Sequence, residues 1–327
     1  MTTAPANAAA SSTALERDAR LVNARHGQIR PGEIAIGVII GRTSEFFDFF
    51  VYALAAVLVF PYHIFSFADP LTATLYSFAV FSLAFIGRPL GTLLFTWIDH
   101  HHGRGVKLTI ALFLLGGSTM AIALLPSYDQ AGAVVIWVLA VFRLLQGVAL
   151  GGAWDGLPSL LALNAPQESR GWYSMIPQLG APLGLALACG LFAYFHAILD
   201  QADFLSWGWR YPFFVALAIN IVALFARLRI VATPEFTRLF ENRELQPSPP
   251  FATLRAQWRV ILLGAFAPLA SFALFHVITV FPLSYSQLFG QAQPTRFLIV
   301  EAVGAIIFAL AVMGSGLLAD RVGRRAV

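Results

Sequence analysis

The stretch GRTSEFFDFFVYALAAVLVF, residues 41–60, sets Arg42, Glu45 and Asp48 inside an otherwise apolar run. An ionisable group near the centre of a membrane helix costs about 2.5–3.5 kcal/mol, and each Leu, Ile, Phe or Val returns about 0.3–0.6. Apolar neighbours therefore offset these charges without explaining them. On a helix, residues three apart are surface neighbours, which brings Arg42 beside Glu45 and Glu45 beside Asp48. Arg42 is nearest the start of the run and can extend its head toward water; Asp48 is deepest. Two readings of Asp48 stay open. It takes up a proton or contacts a ligand from an aqueous cavity, because a carboxyl kept from water readily changes charge; or it forms a structural ion pair with an arginine of another helix. For Glu45 the ion pair is preferred, and Arg42 reads as structural.

Other polar residues interrupt apolar runs in the same way. Arg143 stands midway along its run with Gln146 one turn on, and a permanent positive charge there suits a carboxylate, whether of a ligand or of Asp48. Arg88 lies nearer a run end and reads as a gate or loop contact rather than a ligand contact. Gln178, in PQLGAPLG, sits where Pro177, Gly180, Pro182 and Gly184 allow bending and close approach; it reads as tight packing, with lining of a cavity as the second option. His276 reads as a hydrogen-bonded packing residue before a proton relay, and Glu301 as solvated near a run end. Adjacent His100, His101 and His102 do not form a spaced ligand set, so no metal is expected. There is no phosphate-binding glycine loop, nucleophile elbow or paired-cysteine motif, and the single cysteine, Cys189, is in an apolar run. The chain is not expected to be an enzyme or to need a cofactor; the proton is the one coupling ion considered.

The elements that would hold these residues are membrane helices. The chain has 327 residues, of which 58% are hydrophobic and 12% charged, and a mean hydropathy of +0.73. These values point to an all-α polytopic membrane protein whose partner is the lipid bilayer. Its +4 formal charge is spread over short loops rather than gathered in a patch, which argues against nucleic acid. Eight segments approach the roughly 20 residues that a bilayer requires, at 34–60, 71–98, 108–125, 133–153, 174–199, 210–228, 258–283 and 297–319. Arg and Lys crowd alternate connections, including Arg227 and Arg229, so both ends of this chain are expected on the cytoplasmic side. Trp97, Trp154, Trp207, Trp209 and Trp258 fall near span ends, as an interfacial belt predicts. The boundaries expected are a cytoplasmic tail 1–33, a six-helix bundle 34–228, a cytoplasmic linker 229–257 and a partial second bundle 258–327. GRGVK after the second span is echoed by DRVGRRAV after the eighth, and such internal repetition marks transporter folds.

GLLADRVGRR, Gly316 to Arg325, resembles the cytoplasmic loop motif of the major facilitator superfamily. SEFFDFFVY, GRPLGTLLF, RLLQGVALGGAW, PQLGAPLG and WGWRYPFF are similar, in order, to segments of its metabolite:proton symporter family, which includes carriers of α-ketoglutarate, citrate, shikimate and proline or betaine. The resemblance implies two six-helix bundles related by a pseudo-twofold axis, with substrate held between them. This chain would supply the complete first bundle and two helices of the second, as if cut after the eighth span. The motif residues implied for gating are Arg88, Asp99, Gly103, Arg104, Gly316, Asp320, Arg321, Gly323, Arg324 and Arg325. In the first copy the family's acidic position falls on His100, with Asp99 one residue earlier. That displacement is about 100° of helix rotation, and it puts in doubt whether Asp99 locks the two halves. After span four, Ala153 stands where the family carries an acid.

The expected function is proton-coupled symport of a small, carboxylate-bearing or zwitterionic metabolite across the cell inner membrane, by a carrier that is monomeric when full length. Asp48, Glu45, Arg143, Gln146, Gln178 and His276 are the coupling or substrate candidates. An efflux carrier of the same superfamily and a truncated, transport-inactive membrane protein are the alternatives.

Overall fold

The computed structural model describes residues 31–153, 156–231, 250–290 and 293–323, and every regular element among them is a helix. The helices are α1 Pro31–Leu58, α2 Phe60–His63, α3 Pro70–His102, α4 Arg104–Ala123, α5 Tyr128–Ala131, α6 Val134–Gly152, α7 Leu157–Asn164, α8 Arg170–Met175, α9 Gly180–Ile198, α10 Gln201–Ser206, α11 Tyr211–Val231, α12 Pro250–Phe266, α13 Leu269–Thr279, α14 Phe281–Phe289 and α15 Pro294–Val322. A 3₁₀ turn, Ile176–Leu179, joins α8 to α9 where Pro177 lies. Seven described segments are long and apolar enough to cross a bilayer. The 28-residue α1 is long enough too, but it carries Glu33, Arg42, Glu45 and Asp48. With α1 these make the eight expected spans; the seventh is assembled from α12, α13 and α14 in succession.

α1 is the central element, packed against α9, α11, α3 and α7. α3 and α6 make the tightest crossing because each carries two glycines four residues apart. A Cβ on Gly87 would lie 2.5 Å from the Leu144 carbonyl, and Gly91, Gly147 and Gly151 likewise face backbone of the opposite helix. Small residues at this spacing let membrane helices touch backbone to backbone. The same device joins α9 to α1, where Gly180 faces Arg42 and Gly184 faces Phe46 and Phe47.

Two apolar clusters fill the interior. One gathers Phe47 and Phe50 to Phe60 of the first span, and Ile64 and Phe65 beyond it, with Ile122, Leu139 and Ala216. The other gathers Ile34 and Val38 with Leu115, Ala149 and Leu224. On each of α1, α4, α6 and α11 the gap between the two clusters is occupied by polar side chains.

Three expectations change. Trp209 is not interfacial: it is fully buried, edge-on to Phe60 and Phe213, and its indole N–H is bonded to the Leu205 carbonyl at 3.1 Å. Trp97, Trp207 and Trp258 are exposed, while Trp154 lies outside the described residues. Glu301 is not solvated; both its carboxylate oxygens are shut off from solvent, facing the buried Cys189 thiol of α9. Arg227 is not a loop cation but a buried one.

Candidate functional site

Residues 42, 45 and 48 divide between two faces of α1, because three residues advance a helix by about 300° and six by about 240°. Ser44 and Asp48, one turn apart, point toward α4 and α11. Arg42, Glu45, Phe46 and Phe49 follow the i, i+3, i+4, i+7 spacing and line a cavity shared with α3 and α13.

On the first face, Asp48 is buried, with 2% of its surface exposed. It accepts a hydrogen bond from the Thr119 hydroxyl of α4 at 2.7 Å and another from the Asn220 amide of α11. The Asn220 carbonyl in turn accepts from the Ser44 hydroxyl at 2.6 Å. Gly116, one turn before Thr119, allows this approach, since a Cβ there would sit 3.3 Å from that of Asn220. From α6, the Gln146 amide donates to Thr119 Oγ1 at 2.7 Å, and Arg143 donates to Gln146 Oε1 at 3.0 Å. Arg143 is itself 2% exposed. Its Nε donates to the Phe81 carbonyl at 3.1 Å, and its guanidinium lies 3.9 Å from the Tyr52 ring centroid and 4.6 Å from that of Phe81.

Two donor chains thus converge on one carboxyl: Ser44 to Asn220 to Asp48, and Arg143 to Gln146 to Thr119 to Asp48. Thr119 has one hydroxyl proton and two acceptors in reach, since its oxygen also lies 2.9 Å from the Leu115 carbonyl. With Asp48 ionised the hydroxyl donates to it. With Asp48 protonated, the hydroxyl can turn to Leu115 and accept from both Asp48 and Gln146, using its two lone pairs. The direct partners of Asp48, Thr119 and Asn220, stay bonded in either state, so a proton can be held on the carboxyl without leaving either of them unpaired.

On the second face, Glu45 is held between two arginines. Arg42 Nη1 contacts Oε2 at 2.6 Å and Arg227 Nη2 of α11 contacts Oε1 at 2.6 Å. Arg227 also donates to the Ala153 carbonyl at 3.1 Å, lying over Gly41, where any side chain would collide with it. The cavity beside this group has a volume of about 180 Å³. Arg42, Glu45 and Arg88 form its charged part, and His276, phenylalanine rings, Ala84 and Leu150 form the remainder. Arg143, Gln146 and Asp48 do not line it. Gln178 is exposed on the 3₁₀ turn and does not line it either. The arginines facing the cavity are therefore Arg42 and Arg88, and the one facing Asp48 is Arg143.

The two loop motifs are used differently. Asp99 pairs locally, with Lys107 at 3.0 Å and Arg104 at 3.8 Å, across the turn that Gly103 makes at φ 81°. Asp320 reaches from α15 to the start of α8, accepting from the backbone N–H of Gly171 at 2.5 Å and of Trp172 at 2.9 Å. Gly316 and Gly171 bring these backbones together: a Cβ on Gly316 would meet the Gly171 carbonyl at 3.2 Å. Gly323 ends α15 at φ 93°, as Gly103 ends α3. Arg321 is exposed, and Arg324 and Arg325 lie outside the described residues.

Thr119, Asn220, Ser44 and Arg227 were not singled out from sequence. Asn220 was findable as the single amide in FFVALAINIVALF, because an amide in a membrane run needs a partner.

Comparison with known proteins gives a consistent picture. Residues 34–256 match the family model described as sugar (and other) transporter. An inner membrane metabolite transport protein of Escherichia coli K12, YhjE, is 37% identical over 297 residues, covering 90% of this chain and 68% of the relative. The shikimate transporter of the same organism is 30% identical, covering 91% of this chain and 68% of its own length. The chain thus spans about two thirds of these relatives. A solved D-xylose–proton symporter superposes with a TM-score of 0.59 at 17% identity, covering 85% of this chain and 65% of that one, which speaks to the fold.

Proposed function

The chain belongs to the sugar (and other) transporter family of the major facilitator superfamily, a family of transporters rather than enzymes, and from that premise we propose that it takes part in proton-coupled uptake of a small carboxylate-bearing metabolite. The protein sits as a multi-pass chain in the inner membrane with both ends of this chain cytoplasmic. Residues 34–228 form the first bundle, 229–257 the connection and 258–327 part of the second bundle. Asp48 carries the proton, and the cavity beside Arg42, Glu45, Arg88 and His276 receives the metabolite.

The observation that carries this reading is the convergence of two donor chains on the buried Asp48 carboxyl through a hydroxyl that can serve either protonation state. The back-bond to Leu115 is common to helical threonines, but here it lets the hydroxyl turn from donor to acceptor when Asp48 takes up a proton. Arg143 acts in this reading through Gln146 and Thr119, as the positive end of a relay rather than as a substrate contact. The aligned family loop at Asp320 supports alternating access, because it joins α15 to α8 by contacts that an opening motion would break.

The test is uptake of labelled organic acids into vesicles holding the full chain, with and without an inward proton gradient, for the native protein, Asp48→Asn and Thr119→Val. Gradient-driven uptake is expected in the native protein. It is expected to be lost in Asp48→Asn and altered in its pH profile in Thr119→Val, with Thr119→Ser restoring the native profile. Unchanged uptake and pH dependence in both Asp48→Asn and Thr119→Val sinks the assignment. Accumulation of a hydrophobic cation, or gradient-driven loss of substrate, would instead favour an efflux carrier.

A further inference from the structure

We propose that the ligand of the cavity between α1, α3 and α13 is an aromatic monocarboxylate of about benzoate size, its carboxylate on Arg42 and Arg88 and its ring among Phe49, Phe85 and Phe275. The inference rests on the reading of this cavity as the substrate site and adds the chemical class.

Charge comes first. The cavity wall carries two guanidiniums and one carboxylate. Both oxygens of that carboxylate, Glu45, are already taken by Arg42 and Arg227. Glu45 is thus shared between two guanidiniums, and of the three arginines around it Arg88 has no acid of its own paired with it among the described residues. The Arg88 carbonyl accepts from the Thr92 hydroxyl, but its guanidinium makes no hydrogen bond or ion pair among the described residues, and that planar fork suits a carboxylate. One carboxylate pairs with the Arg88 guanidinium; a second finds no further arginine on the wall without an acid, and the cation of a zwitterion meets guanidiniums whose one acid is already shared.

Size and surface come next. At about 180 Å³ the cavity is slightly larger than the roughly 150 Å³ hydrocarbon-lined cavity known to take up benzene. Its walls are rings set at steep angles: Phe49 and Phe85 at 6.3 Å and 64°, and His276 at 5.6 Å from Phe49 and 6.5 Å from Phe85. Edge-to-face walls of this kind complement another flat ring. Beyond the charged end, His276 is the one polar side chain on the wall. A polyhydroxylated body would therefore find His276 as its one polar side-chain partner beyond the charged end, among the described residues.

The experiment is calorimetric titration of the purified full chain in detergent, without any proton gradient, using benzoate, acetate, benzyl alcohol, succinate and glycine betaine as probes, with micelle-only blanks. Saturable binding of benzoate, at least roughly tenfold tighter than any other probe, is expected, and Arg88→Gln should weaken it roughly tenfold or more. Arg88→Lys should fall between, and Phe85→Ala should weaken benzoate while leaving acetate unchanged. Thermal unfolding confirms that each variant is folded; where Arg88→Gln is not, Arg88→Lys and Phe85→Ala decide. The proposal is overturned if benzoate does not saturate, if succinate or betaine binds as tightly, or if Arg88 and Phe85 variants keep native affinity. Saturable benzoate binding with no uptake overturns the transport reading and leaves the ligand class standing; tight binding of another probe does the reverse.

Discussion

Replacing Asp320 by Asn should loosen the contact between α15 and α8. The native carboxylate accepts two backbone N–H groups, at 2.5 and 2.9 Å, at the start of a helix, where unpaired donors and the helix dipole favour negative charge. Asn keeps one carbonyl acceptor, loses the charge and turns an amide N–H₂ toward the second donor. A hydrogen bond to a charged group contributes about 1.5–3 kcal/mol, so the loss should be about 2 kcal/mol, or a factor of about thirty in the equilibrium between closed and open contact. Met175, buried against Gly316, offers the reporter. With Met175→Cys in a Cys189→Ser background, the rate of alkylation by a membrane-impermeant maleimide should rise about thirtyfold in Asp320→Asn if opening is rare and fast. Asp320→Glu should lie between. If the rate is unchanged while the protein unfolds at its usual temperature, Asp320 is not the latch and the argument from its two N–H donors fails.

Three shorter expectations accompany it. Gly147→Val should destabilise the fold by about 1–3 kcal/mol or more by overpacking the α3–α6 crossing, where a Cβ already collides with Ala84 backbone; thermal unfolding in detergent measures it, and Gly117→Ala, whose added Cβ meets nothing within 4 Å, is the control. Arg227→Gln should be worse than Arg42→Gln, because it leaves the buried Glu45 with a single, more exposed partner. His63, beyond the end of α1, is pushed down to about 4 by burial and by the positive charge of Arg210. The fold therefore favours its neutral form: that stability is present above the ordinary histidine value of 6.5 and is lost as pH falls from there toward 4. His63→Gln should flatten the unfolding temperature across that window, and an unchanged profile would refute the assignment.

What was legible in the sequence follows from how much each feature costs. Spans are legible because a bilayer demands length and apolarity together, so α3, α6 and α15 stand out from composition alone. Asp48 and Arg143 are legible because a charge in such a run is expensive. Thr119 and Ser44 are not, since hydroxyls are cheap to bury when they can bond back to their own helix, as Thr119 does to Leu115. Arg227 was hidden by its place near a span end, where loop cations are the rule. Depth also fails to say which way a side chain faces: by depth Arg88 reads as a gate or loop contact and Arg143 as the partner of a carboxylate, of a ligand or of Asp48, while Arg88 lines the cavity and Arg143 is walled in by Tyr52 and Phe81. The glycine pairs of α3 and α6 decide that outcome, because they fix how the two helices rotate against each other.

The separation of the two faces of α1 constrains how proton and metabolite could be linked in the proposed cycle. Asp48 does not line the cavity, and the cavity's own carboxylate, Glu45, is shared by two arginines. A proton on Asp48 therefore has no direct contact with a ligand on Arg42 and Arg88. The sites share α1 itself, α3, which supplies the Phe81 carbonyl to Arg143 and Arg88 to the cavity, and α11, which supplies Asn220 to one face and Arg227 to the other. A small rotation of α1 against α11 would change both sets of contacts at once, through bonds held at both ends by buried groups that cannot be left unpaired without cost. Asn220→Leu tests this directly. It removes the Asp48 and Ser44 bonds without touching the cavity, so a shift in benzoate affinity in that variant, measured at one pH, would show the faces coupled through the helices; unchanged affinity would show them independent.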